Sequence, residues 1–218
     1  MSEKSKKILS EMFDRLFQYY GPQHWWPGET PFEVMVGAIL TQNTNWRNVE
    51  KAINNLKSAS ALDPVVMLEL SDAHLAALIK PAGYFNVKTQ RLKNFVQFLQ
   101  QNYQGSIEDM RDSPTQQLRE DLLSVKGIGP ETADSILLYA LQHPIFVIDA
   151  YTYRVLTRHF LMHEDAAYEE MQEFFVDHVP AEEAHYNEFH ALLVSVGKDF
   201  CRPKPQCELC PLQGLNWD

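Results

Sequence analysis

No stretch of the 218-residue sequence approaches the roughly 20 apolar residues that a bilayer-spanning helix needs. The opening, MSEKSKKILSEMF, lacks the apolar core of a secretory signal. These absences read as a cytoplasmic protein with no membrane partner, expected to act as a monomer. Cysteine is scarce: Cys201, Cys207 and Cys210 are an odd number and crowd into ten positions. A disulfide framework wants even numbers and wider spacing, so such a cluster in a reducing compartment suggests metal ligation. There is no fixed-period repeat and no low-complexity segment. Strand signal is confined to Ile145-Phe146-Val147-Ile148, a run too short and isolated to found a sheet. Basic residues are also outnumbered. Nineteen Lys and Arg against 29 Asp and Glu give a net charge of −10, which taken whole argues against a polyanionic partner.

Position changes that inference. Glu164, Asp165, Glu169, Glu170, Glu173, Asp177, Glu182, Glu183 and Glu188 lie between His159 and Gly197 with no Lys or Arg among them. These nine acids account for nearly all of the excess, and the other residues are close to neutral, so a locally basic face is open to them. The acids read as the outward face of helices turned away from any nucleic acid. Five of the eight histidines, His159, His163, His178, His185 and His190, share this stretch and read as solvated surface.

What is present is helical periodicity in a globular composition, 45% hydrophobic and 22% charged. Ile8, Leu9, Met12, Phe13, Leu16, Phe17 and Tyr20 form the stripe of an amphipathic helix ending near Gly21-Pro22. Thr30-Pro31-Phe32-Glu33 is a capping box ahead of the apolar run Val34 to Leu40. Further stripes run through Trp46 to Leu56, Leu92 to Leu99 and Leu118 to Val125, and Pro130 opens another helix that Pro144 ends. The expected fold is all-α with many short helices in two packed lobes, one over 31–143 and the other combining 1–30 with 144–218.

The segment with most chemical content is Leu122-Leu123-Ser124-Val125-Lys126-Gly127-Ile128-Gly129-Pro130-Glu131-Thr132-Ala133-Asp134. Two glycines around one apolar residue allow a tight reversal between helices, and the second helix begins with open backbone N–H groups at its positive dipole end. Such a terminus suits a phosphate, and an ordinary interhelical turn has the same pattern. The continuation into Val147-Ile148-Asp149 resolves the choice. Hairpin, short apolar run and aspartate together resemble the endonuclease III superfamily of helix-hairpin-helix DNA glycosylases. The likeness spans nearly the whole chain: Pro31-Phe32-Glu33 through Leu40-Thr41-Gln42-Asn43-Thr44 is similar to the family's first barrel helix and Gln-bearing loop, and Gly83-Tyr84-Phe85-Asn86-Val87-Lys88 to its wedge loop.

That resemblance implies a two-lobed fold with a six-helix barrel lobe. It also implies a base-excision-repair enzyme acting on damaged double-stranded DNA, with Asp149 as the catalytic carboxylate. Asp149 is equally a natural N-cap for the next helix. By the same likeness Gln42 fills the gap left by an extruded nucleotide and Tyr84 wedges beside the orphan base, while Lys126, Gly127, Gly129, Thr132 and Lys198 contact DNA. Bifunctional members carry a lysine after the hairpin that forms a Schiff base. Glu131 stands there in this sequence, and a carboxylate cannot form an imine. The expectation is a monofunctional N-glycosylase, a hydrolase that leaves the abasic site intact. Trp25, Trp26 and Trp46, with Glu131 and Tyr151, are the candidate base pocket; indole faces stack on bases and favour cationic ones. Trp25-Trp26-Pro27, the run Gly37 to Thr44 and Glu131 together look like the 3-methyladenine DNA glycosylase III branch. The alternatives are an endonuclease III-like glycosylase and abasic-site lyase on oxidised pyrimidines, and a hairpin DNA-binding module without catalysis.

Family members with a [4Fe–4S] cluster have four cysteines near the C-terminus. Cys207-Glu208-Leu209-Cys210 keeps the C-x-x-C core and Cys201 precedes it, but the fourth position is Asn216, a poor iron ligand. The resemblance therefore implies either no cluster or one held by three thiolates and an unidentified fourth donor such as Asp218 or water.

Overall fold

The computed structural model describes residues 2–215, and among them every regular element is helical. In chain order the helices are α1 (Ser2–Tyr20), α2 (Pro31–Thr41), α3 (Trp46–Ser58), α4 (Pro64–Glu69), α5 (Asp72–Leu78) and α6 (Phe85–Tyr103). They continue as α7 (Ile107–Arg111), α8 (Thr115–Ser124), α9 (Pro130–Ser135), α10 (Ala150–Arg158), α11 (Tyr168–Val176) and α12 (Glu183–Asp199). A π turn, Ile136–Ala140, extends α9, and short 3-10 turns cover Lys80–Ala82 and Cys207–Leu209. The chain divides into two compact units, 26–143 and 1–25 with 144–218.

In the 26–143 unit α2 is the central helix. Every residue from Phe32 to Leu40 is buried, as expected of a helix apolar on all faces, and α3, α6, α9 and the π turn pack around it. Its start is as the sequence dictates: Thr30 Oγ1 accepts from the Glu33 N–H at 3.2 Å and Pro31 occupies the first turn. The Glu33 carboxylate reaches one residue further back than a capping box requires, accepting from the Glu29 N–H at 3.2 Å and pairing with Lys57 at 2.9 Å. The short helices α4, α5 and α7 each begin at a side-chain cap, Asp63, Ser71 and Ser106.

In the other unit α1 lays Ile8, Leu9, Met12 and Leu16 against α12, which also packs on α10. An aromatic core holds the centre: Phe146 stacks on Phe175 with centroids 3.8 Å apart, and Tyr186 and Phe189 present their edges to Phe146. The apolar run Ile145–Ile148 lies extended in this core without a strand partner. Two of its peptide groups are satisfied by α11 side chains instead. Gln172 Nε2 donates to the Phe146 carbonyl at 2.6 Å, and the Ile148 N–H donates to Tyr168 Oη at 3.3 Å. That clamped run delivers Asp149 to the start of α10.

Candidate active site and DNA-facing loops

The hairpin of the 26–143 unit is made by α8, the turn 125–129 and α9. Arg119 on α8 pairs in bidentate fashion with the fully buried Asp134 on α9, at 2.7 and 3.1 Å. Ile128 is buried and anchors the turn, and Asn94 donates to the Lys126 carbonyl at 2.9 Å. Gly127 has φ +100°, a left-handed conformation, and a Cβ there would stand 2.5 Å from Arg91 Cγ. Gly129 is extended, Lys126 is exposed, and Thr132 is buried.

Three of the predicted DNA-contacting residues come together at this turn. Gln42 Nε2 donates to the Thr132 hydroxyl at 2.8 Å and to the Gly127 carbonyl at 3.1 Å, while Arg91 donates to Gln42 Oε1. Tyr84, on its own loop, is 72% exposed and sits at φ +44°, where a bulky residue is strained. Asn43, beside Gln42, is left-handed as well.

One residue that the sequence reading left inside a loop pattern ties both loops down. Lys88 is buried, and its ammonium donates to the Leu40 carbonyl at 2.8 Å, the Thr44 hydroxyl at 2.6 Å and the Ala82 carbonyl at 2.8 Å. All three N–H bonds are used. Burial, with the neighbouring Arg91 charge, lowers its pKa to about 8. The clamp joins the C-terminal end of α2, which leads to Gln42, to the turn before Gly83 and Tyr84.

Of the pocket candidates in this unit, Trp26 and Trp46 meet edge to face at 5.2 Å, and Trp26 lies 5.1 Å from the Tyr139 ring. Gly37 makes room for both indoles: a Cβ there would be 3.4 Å from Trp26 Nε1 and 3.5 Å from Trp46 Cη2. Glu131 is exposed in the first turn of α9.

In the other unit Asp149 caps α10. Its Oδ1 accepts from the N–H groups of Tyr151 at 3.0 Å and Thr152 at 2.8 Å. The capping alternative therefore holds, and it fixes the carboxylate's orientation. His190 Nε2 lies 3.7 Å from the same Oδ1. Tyr151, Trp25 and Lys198 gather nearby: the Lys198 ammonium stands 5.2 Å from the Trp25 centroid and 6.0 Å from that of Tyr151. Tyr151 packs on Gly197, where a Cβ would come within 2.6 Å of its ring, and Arg154 covers the ring at 5.2 Å.

Four of the histidines read as solvated surface are not. His190 is buried and His159, His178 and His185 are partly buried, and burial lowers the pKa of His190, His159 and His185. Acid content drew the stretch as surface, but the helix period decides. His190 falls on the face of Tyr186, Phe189 and Leu193, the buried stripe of α12, and that spacing was the available signal.

All three cysteines line one cavity of about 510 Å³, with Val155, Val196, Leu212 and Leu215 among its apolar walls and Arg158 and His159 at its edge. Arg158 Nη1 donates to Cys201 Sγ at 3.3 Å, and Arg154 donates to the Cys201 and Gly197 carbonyls. Burial and the other two sulfurs raise the Cys210 pKa. Among the described residues no three His, Cys, Asp or Glu side chains converge on a single metal ion. Asn216 and Asp218, the candidates for the fourth position, lie outside the described residues.

Comparison with known proteins gives this arrangement a family. Residues 36–181 match the HhH-GPD superfamily of base excision DNA repair proteins. A protein of Methanocaldococcus jannaschii, provisionally named a DNA repair glycosylase, is 48% identical over 98% of this chain and 97% of its own. Endonuclease III of Thermotoga maritima is 27% identical over 84% of this chain and 81% of its own. The structure of the H. pylori 3-methyladenine DNA glycosylase MagIII, bound to 1,N6-ethenoadenine, superposes with a TM-score of 0.76 and 30% identity, over 89% of this chain and 97% of that one. The all-helical fold, the hairpin and the ordered sequence matches agree: the chain belongs to the HhH-GPD superfamily, the endonuclease III superfamily of base excision repair, and is a DNA repair glycosylase.

Proposed function

We propose that this glycosylase is monofunctional and removes an alkylated, 3-methyladenine-like base from double-stranded DNA by hydrolysis, leaving the abasic strand uncut. The observation that carries the reading is the fixed carboxylate of Asp149. Its Oδ1 is committed to two backbone N–H groups, and its side chain is 13% exposed. As the base departs, positive charge grows on the sugar. A preoriented carboxylate stabilises that charge and aligns or deprotonates the attacking water.

Glu131 stands where the lyase lysine of bifunctional relatives is expected, so the amine needed for a Schiff base is absent from that position. An alkylated purine already has a weakened glycosidic bond and needs little leaving-group activation. The indole and phenol faces of Trp26, Trp46 and Tyr139 in one unit, and separately those of Trp25 and Tyr151 in the other, are of the kind that stacks on a flat, positively charged base. The likeness to an enzyme solved with 1,N6-ethenoadenine supports the same class. In this reading Gln42 exchanges its bonds to Gly127 and Thr132 for the vacated base stack, Tyr84 wedges beside the orphan base, and Lys126, Gly129 and Lys198 lie along the phosphate path.

The cysteine segment suits an iron–sulfur cluster. Three thiols of C-x5-C-x2-C spacing line one cavity. Cys201, Cys207 and Cys210 would hold it, with Arg158 donating to the Cys201 sulfur. A bound [4Fe–4S] cluster supplies iron–thiolate bonds that tie this loop together. Absorbance near 400 nm, with iron and acid-labile sulfide by analysis, is the expected signature; fully active, metal-free protein would remove the cluster.

The test of function is a panel of duplexes carrying alkylated, oxidised or mismatched bases, with released base and strand cleavage scored separately. Release from the alkylated duplex without cleavage is expected. Cleavage with a borohydride-trapped adduct would favour the lyase reading, and release from none would leave a binding module.

A further inference from the structure

We propose that His190 is the positioning residue for Asp149, holding the Oδ1 edge of the carboxylate so that Oδ2 is presented to the substrate. This rests on the reading of Asp149 as the catalytic carboxylate. Three groups converge on Oδ1: the N–H of Tyr151, the N–H of Thr152 and, at 3.7 Å, the Nε2 of His190. Oδ2 takes part in none of these contacts. Two backbone donors from one helix turn fix the position of Oδ1 but leave the carboxylate able to rotate about it. A third group, arriving at Oδ1 from α12 rather than α10, adds a direction of approach outside that turn and so narrows the orientations in which all three contacts to Oδ1 are kept.

The placement of His190 is otherwise hard to understand. It stands 4% exposed in the stripe of Tyr186, Phe189 and Leu193, with its ring edge-on to Phe146 at 6.4 Å. An aliphatic side chain would fill this space without the cost of burying an imidazole. The charged groups that face it are Asp149, at the start of α10, and Lys198, on α12 itself. Burial opposes protonation of the ring, and Lys198 acts in the same direction, against the pull of Asp149. A neutral imidazole orients a carboxylate without cancelling its charge, which is what stabilising a sugar cation demands. The separation of 3.7 Å exceeds a hydrogen bond, and catalytic contacts commonly tighten only when substrate excludes water.

The test compares His190→Leu, His190→Gln and Asp149→Asn in single-turnover base release from the duplex that the unmodified protein processes fastest. Affinity for abasic duplex is measured alongside. Loss of a contact to a charged group that tightens in the substrate complex predicts that H190L slows release about 10- to 100-fold with affinity unchanged. H190Q, whose amide reaches the place of the imidazole Nε2, should recover most of the rate. The unmodified protein should lose rate in acid as His190 takes up a proton that offsets the Asp149 charge, and H190Q should lack that component. H190L within twofold of the unmodified rate, or H190Q as slow as H190L at matched thermal stability, would overturn the proposal. If H190L fails to fold, H190Q against H190N decides it: the Asn amide stops short of the Nε2 position, so equal rates in the two variants overturn the proposal. Asp149→Asn is the separate control. Full activity in that variant strikes the reading of Asp149, whereas an inactive D149N beside a fully active H190L strikes only the positioning role.

Discussion

At the scale of single residues, Asp149 and Lys88 do different work with the same economy of partners. Asparagine caps a helix about as well as aspartate, so Asp149→Asn should leave the unfolding midpoint nearly unchanged while lowering base release by about 100-fold or more. A parallel fall in stability and rate, seen in denaturant titration and single-turnover assay, would make the residue structural. Lys88→Met should do the opposite. It strips three acceptors of their donor and should cost about 2–4 kcal/mol, read from the denaturant midpoint, and it should loosen the Gln42 and Tyr84 loops. Asp149 could be singled out through the family resemblance, in which an aspartate follows a short apolar run after the hairpin. Lys88 and His190 were not legible in that way. Each is a polar residue whose meaning depends on partners distant in the chain, 48 positions away for Leu40 and 41 for Asp149.

At the scale of elements, the hairpin depends on an ion pair as well as on its glycines. Arg119→Met should destabilise the 26–143 unit by about 3–5 kcal/mol, because Asp134 would remain buried without its bidentate partner. Measured loss near zero would show that the turn is held by Ile128 and the Gly127 conformation alone. The long helices were readable from their stripes. The short ones, α4, α5 and α7, have six, seven and five residues, too few for a 3.6-residue period to repeat, and only their Asp63, Ser71 and Ser106 caps signal them. Ile145–Ile148 has the composition of a strand because Phe146, Val147 and Ile148 are buried. What holds it outside a helix is the bonding offered by Gln172, 26 residues beyond Phe146, and by Tyr168, 20 residues beyond Ile148.

At the scale of the whole molecule, the net charge of −10 is a property of one stretch. Of its nine acids all but Glu183 and Glu188 are exposed, and Glu188 accepts from the Gln23 N–H at 2.8 Å. The same stretch hides His159, His185 and His190, and together with His143 they set the response to acid. Burial lowers the pKa of His143, His159, His185 and His190 below the ordinary 6.5. The unfolded chain therefore takes up protons near 6.5 that the folded chain refuses, so stability is full above that pH and falls as pH drops from it toward the depressed folded values. Denaturant midpoints at pH 7.5 and 5.5 should differ in that direction, and a midpoint that rises on acidification would contradict it. The most direct measurement of the proposed chemistry is single-turnover reaction of purified protein with a duplex carrying one 3-methyladenine-type base. Released base, an intact strand until alkali is added, no borohydride-trapped adduct, and loss of release in Asp149→Asn are expected. Strand cleavage with a trapped adduct, or undiminished release by that variant, would contradict it.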